Sequence, residues 1–149
     1  MSPGLGTLDR FRRAAAALLK LDAIRAGGVT EARYASESDL RDIVERNFQV
    51  AIQAAIDLAN EKIALQNWKT PATAREAFEV LAENHALDPD AAKSLESWAG
   101  FRNVLVRSYS AVKPERVVQF LNDELGDLRA RFLELSRACG MVLPPASTP

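Results

Sequence analysis

The 149-residue chain is 48% hydrophobic and 26% charged, with a net charge of −1. It is long enough to bury a sizeable core, and its balance excludes a generally basic nucleic-acid binder, so any RNA contact must be local. A lone Cys139 excludes an internal disulfide and fits a reducing, cytoplasmic setting, and no stretch reaches the ~18 apolar residues a membrane span needs.

The middle of the chain is poor in Gly and Pro and rich in Ala, Leu, Glu and Arg, which predicts helix throughout and no strand. A first helix is expected from about Leu8 to Ala26. Within it, Arg12 to Leu19 faintly resembles a signal peptide, but Lys20 and Asp22 cut the apolar run short. Gly27-Gly28 stops this helix, and a loop follows in which Ser36 and Ser38 are cap candidates. The second helix is long, about Asp39 to Gln66. Leu40, Ile43, Val44, Phe48, Ala51, Ala55, Leu58 and Ile63 repeat along one stripe, with Arg41, Glu45, Gln49 and Gln53 opposite.

Thr73 and Glu76 form a capping box for a third helix ending near Asn84. Asp88-Pro89 supplies an N-cap and a proline at the first helical position for a fourth helix reaching about Ser110. Its core candidates are Leu95, Trp98, Ala99, Leu105 and Val106. A fifth helix runs from about Pro114 to Ala138 and stops at Gly140, with Val117, Val118, Leu121, Leu125, Leu128, Phe132 and Leu135 on its apolar face. Short links between long amphipathic helices predict an all-α, up-and-down bundle of about five helices. Residues 1–140 are expected to form one domain and 141–149, rich in proline, a disordered tail.

One run stands apart: Phe101-Arg102-Asn103-Val104-Leu105-Val106-Arg107-Ser108-Tyr109. At 100° per residue, Arg102, Val106 and Tyr109 share a line, whereas Arg107 is turned ~140° away from Arg102. A regular helix would not aim both arginines at one small target. Either the helix distorts near its end or a second copy completes the site, and a homodimer with a composite groove is inferred.

The run resembles the R-N-x-x-V-H-x-Y signature of HepT-like toxins, small helical ribonucleases of the HEPN superfamily. Val44 to Ile52, and Phe78 to Ala82 leading into Ala99 to Asn103, also resemble that family, so the likeness covers roughly residues 8–135. It implies an HEPN-like bundle and the toxin role in a type VII-like HepT/MntA toxin–antitoxin system. The activity implied is metal-independent RNA cleavage in which a 2′-hydroxyl attacks the adjacent phosphate, with no cofactor. Arg102 and Asn103 match the family's cation and adjoining polar residue. The partner MntA, a minimal nucleotidyltransferase, is implied to neutralise the toxin by attaching AMP to the position of Tyr109.

Arg107 stands where the family has histidine. Histidine exchanges protons near neutral pH, while arginine stays protonated but can still grip phosphate oxygens. A site that binds RNA and turns over poorly is therefore expected. An engineered exchange that disarms a toxin and a natural loss of catalysis would both produce such a chain; the intact surroundings favour the first. The rival functional reading is a non-catalytic binding module for a nucleotidyltransferase, and a third is an unrelated helical scaffold.

Blander readings stand beside these. Arg10, Arg12 and Arg13 could attract RNA or an acidic partner but read most simply as a polar face; Glu45 and Arg46 read as bundle bracing at most, and Trp68 and Trp98, which could stack on bases, as core. His85, the sole histidine, reads as a loop or helix-end residue, and Cys139 as incidental.

Overall fold

A computed structural model describes residues 5–107 and 113–141, and these are helical with no strand among them. The order is α1 (Leu5–Ala26), α2 (Glu31–Ser36), α3 (Ser38–Gln66), α4 (Ala74–Glu83), α5 (Pro89–Arg107), α6 (Pro114–Gln119), a π-helical turn (Phe120–Glu124) and α7 (Leu125–Ala138). α1 lies antiparallel along α3, the start of one meeting the end of the other where the Thr7 hydroxyl donates to the Glu61 carboxylate. The bundle is therefore all-α, as the helical periodicity predicts.

Local chemistry fixes most helix ends. Gly28 takes φ 85° and Gly140 φ 78°, the left-handed conformation that glycine adopts without a Cβ penalty. The Asp88 carboxylate accepts from the Asp90 N–H at 3.1 Å, just ahead of Pro89. Thr73 accepts from the Glu76 N–H at 3.1 Å, but Glu76 reaches back to Ala72 rather than to Thr73, so half of the expected box forms. His85 follows α4 at φ 59°, an exposed helix-end residue as read from the sequence.

Three expectations need correction. The segment before α3 is not a plain loop: Thr30 caps α2, and neither Ser36 nor Ser38 caps α3, whose N-cap is Glu37 without a side-chain bond. Tyr34 supplies the reason. It is buried in the core, its hydroxyl donates to Glu45, and Arg41 bonds the Tyr34 carbonyl at 3.2 Å, so α2 is pinned onto α3. The fifth helix is interrupted by the π turn, where Asn122 Nδ2 donates to the Val29 carbonyl at 2.9 Å. Its apolar 3–4 spacing runs on unbroken through that turn, which is why periodicity alone did not reveal it. Finally, Ile43 and Val106 are 40% and 47% exposed rather than core residues.

The core is otherwise where the stripes put it, and all seven apolar candidates of the last helical region are buried. Phe11 stacks on Phe132 at 5.8 Å, joining α1 to α7. A second aromatic cluster locks α5 in rotation. Phe48 of α3 meets Trp98 at 5.8 Å and Phe101 at 5.3 Å, and Phe120 meets the same two rings at 5.2 and 4.4 Å. Met141, placed in the tail by sequence, is buried and donates its N–H to the Ser136 carbonyl at 2.8 Å. Residues 142–149 lie outside the described residues, as do Ser108 to Ser110, the expected end of the fourth helix.

Candidate functional site

The site begins with the register of α5. Ala91, Leu95, Trp98 and Leu105 are buried at spacings of four, three and seven residues. The position that completes this 3–4 series between Trp98 and Leu105 is 102. An arginine therefore stands on the helix line where a leucine would ordinarily pack. Only part of Arg102 is covered, but its Nε is buried and, among the described residues, has no hydrogen-bond partner. Its Nη1 lies 3.4 Å from Asn103 Oδ1, a long contact that leaves most of the guanidinium's donor capacity unused. Leaving such a donor buried and unpaired is costly, so Nε is the polar atom here that gains most from a further acceptor.

Arg102 opens onto a shallow groove of about 290 Å³. α3 lays down its floor with Arg46, Gln49, Val50, Gln53, Ala54 and Asp57, and α1 adds Arg10 and Arg13. Four arginines from three helices thus meet around one concavity. Arg10 also reaches Glu61 at 3.3 Å and Arg13 reaches Asp9 at 3.1 Å, both as exposed pairs. Among the described residues, Arg46 and Arg102 have no carboxylate within ion-pair distance. Asp57, the groove's one acid, accepts from Gln53 at 2.9 Å. The arrangement offers a surplus of planar, forked donors, which suits phosphate oxygens.

Arg107 is placed differently. It is exposed at the last described turn of α5, and it is not among the residues that line the groove with Arg102. Within one chain, then, the two signature arginines do not converge, as their ~140° separation predicts. Asn103 is exposed beside Arg102, and Tyr109 lies outside the described residues. From the sequence, Arg10 and Arg13 are candidates for an RNA or acidic contact on a polar face, whereas the groove residues of α3 carry no assigned chemistry. Arg10 and Arg13 read there as a polar face and Arg46 as bracing, because nothing in local spacing ties them to position 102. One signal was available: an arginine interrupting a 3–4 apolar series.

A second concavity on the other side of α5 is lined by Arg75, Lys113 and Arg116 above Phe101, Val104 and Phe120. Trp98, by contrast, is core, and its Nε1 donates to Asp127 at 3.2 Å. Burial pushes the half-buried Cys139 thiol up to about 11, which disfavours the thiolate. No helix among the described residues is long and apolar enough to cross a membrane.

Comparison with known proteins agrees with this picture. Residues 14–135 match the family described as Ribonuclease HepT-like. The chain is 27% identical over 106 residues to the mRNA nuclease HepT of Shewanella oneidensis, a span of 71% of this chain and 79% of that one. It is 33% identical over 84 residues to the tRNA nuclease HepT of Aphanizomenon flos-aquae, or 56% of this chain and 57% of its relative. Among solved structures, the tri-AMPylated Shewanella oneidensis HEPN toxin in complex with MNT antitoxin superposes with a TM-score of 0.78 at 21% identity, over 91% of this chain and 99% of that one. A mutant of the toxin–antitoxin pair MntA-HpeT gives 0.77 at 21% identity, over 88% and 98%. These two likenesses establish a common fold. Because the family match runs from α1 into α7, through every helix that frames the groove, this chain belongs to the Ribonuclease HepT-like family.

Proposed function

We propose that this protein is the toxin of a type VII-like toxin–antitoxin pair, a metal-independent endoribonuclease by design whose Arg107 leaves it able to bind RNA but slow to cut it. The observation that carries the reading is Arg102, an arginine on the buried line of α5 with an unpartnered Nε, facing a cationic groove. The mRNA and tRNA nuclease relatives supply the reaction class.

In that reaction the 2′-hydroxyl forms a bond to the adjacent phosphorus and the bond from phosphorus to the 5′-oxygen breaks. The 2′ proton passes to a base, and a proton returns to the leaving oxygen. Arg102 neutralises charge building on the non-bridging oxygens, and Asn103 lies beside it to orient the phosphate. Position 107 is where the proton acceptor is required, and an arginine there binds phosphate without exchanging protons. Two copies paired through the end of α5 bring each Arg102 toward the partner's residue 107. Val106, 47% exposed and one turn beyond Arg102, gives that surface apolar content.

An antitoxin of the minimal nucleotidyltransferase type is the proposed partner, since toxins of this fold are known in complex with MNT and MntA antitoxins and in AMPylated form. AMP on Tyr109 would add bulk and negative charge close to Arg102 in sequence, competing with RNA for the guanidinium.

The test is RNA cleavage by this chain beside its Arg107→His form, with EDTA and over a pH series. The histidine form is expected to cleave at least a hundredfold faster, an estimate on the order of a general acid–base contribution. That activity should disappear when a MntA-like transferase adds one AMP to Tyr109. The identity of Arg107 also favours a second reading, a non-catalytic module that binds a nucleotidyltransferase. Two folded, equally inert forms would sink the nuclease reading and establish the second.

A further inference from the structure

The groove extends well beyond Arg102. Along α3, Arg46, Gln49, Gln53 and Asp57 stand three, four and four residues apart, so they share one face over eleven residues. At 1.5 Å per residue that face is ~16 Å long, far longer than a single phosphoryl group. Arg10 and Arg13 overlook it from α1, one helical turn apart. Cations are thus spread along the groove instead of being gathered at one point; Arg10 and Arg13 hold exposed, exchangeable pairs with Glu61 and Asp9, and the one carboxylate lining the groove, Asp57, is partnered by Gln53. Val50 and Ala54 provide small apolar patches between the polar side chains. A lone phosphate or a mononucleotide would use only part of this surface, whereas a polyanion with regularly spaced charges would use all of it. The chain's net charge of −1 makes the concentration of arginines here a local feature rather than a reflection of overall basicity.

We propose that Arg10, Arg13 and Arg46 form a track for the backbone phosphates of single-stranded RNA beyond the bond to be cut, leading the strand to Arg102. The inference rests on the ribonuclease reading and adds to it the path of the substrate and the residues that hold it. Phosphate contacts position a strand without reading its sequence, so the track accounts for how one fold can hold RNAs of different sequence. The three arginines are binding residues; none is assigned a part in bond breaking.

The experiment measures binding of a 2′-O-methyl oligonucleotide of about twelve nucleotides by fluorescence anisotropy across a salt series. This probe cannot be cleaved, so binding is read independently of turnover. Each phosphate contact contributes ~0.7 to the slope of log affinity against log salt for a single strand, and roughly fivefold in affinity at ~0.1 M salt. Arg46→Gln should therefore lose about fivefold. The Arg10→Gln, Arg13→Gln, Arg46→Gln triple should lose roughly a hundredfold and flatten the slope by about 2. Arg46→Lys should recover most of the Arg46 loss, and Arg116→Gln, on the other side of α5, should change neither quantity.

Three results would overturn the track: an unchanged slope in the triple variant, a larger effect from Arg116→Gln, or a triple variant that has lost its dimer with the same melting temperature. Repeating cleavage in the Arg107→His background separates the track from the nuclease reading. Cleavage that is insensitive to the triple variant removes the track and leaves the nuclease. Binding lost in the triple variant, with no cleavage by the Arg107→His form, keeps the track and removes the nuclease.

Discussion

At the scale of single residues, Arg102 and Tyr34 show two opposite fates of a polar group on a buried line. Tyr34 is covered in the core, but its hydroxyl is satisfied by Glu45. Burial and that neighbouring carboxylate hold its phenol well above the ordinary tyrosine range, so it remains a donor. Arg102 has no such satisfaction at Nε. A group kept at a core position without its bonds should lower stability in exchange for function. Arg102→Met is accordingly expected to raise the unfolding free energy by about 1 kcal/mol, read by urea denaturation, while abolishing cleavage in the Arg107→His background. A variant less stable than the parent would contradict the view that Arg102 is held there at a cost.

At the scale of elements, α5 must be fixed in rotation for position 102 to meet the groove at all. The aromatic cluster does this, and Asp127 of α7 adds to it through the cluster's own Trp98, accepting from Ser94 and from Trp98 Nε1 of α5 and pairing with Arg131. Desolvation opposes ionisation of Asp127, but the bonds from Ser94 and Trp98 and the Arg131 charge outweigh it and hold the carboxyl below its ordinary value of 3.8. A depressed carboxylate contributes stability that is fully present above its unfolded value and is lost as pH falls through its folded value. The effect of Asp127→Asn should therefore be largest above about pH 4 and should vanish on further acidification, with a cost of about 1 kcal/mol at neutral pH because the carboxylate is partly exposed. Equal destabilisation at pH 7 and pH 2 would show that the interaction is not charge-dependent. The π turn and α2 belong to this scale too. The π turn is tied through Asn122 to the Val29 carbonyl in the link between α1 and α2, a contact that no local sequence preference announces.

For the whole molecule, the decisive question is how the groove and residue 107 come together. Arg102 lines the groove and Arg107 does not, and Val106, one turn beyond Arg102, is left exposed. A second copy seated on this end of α5 would cover the valine and complete the site in one step. Sedimentation equilibrium is expected to give twice the chain mass, and Val106→Asp should shift it to the monomer with helix content unchanged. A parent protein that stays monomeric at micromolar concentration would rule out the composite site.

The helical class, most helix limits, the apolar stripes and the signature run are legible along the chain, because these depend on residues a few positions apart. Gly28, Asp88-Pro89 and Thr73 act within one helical turn, and a 3–4 apolar spacing is visible without knowing what it packs against. Tertiary structure alone decided that Arg10, Arg13, Arg46 and Arg102 surround one groove, that Ile43 and Val106 are uncovered, and that Tyr34 binds a short helix to α3. The reason is physical. Whether a side chain on a stripe is buried, and which distant side chains share its surroundings, depends on where other helices end and how they are rotated, and periodicity along one helix carries no information about either.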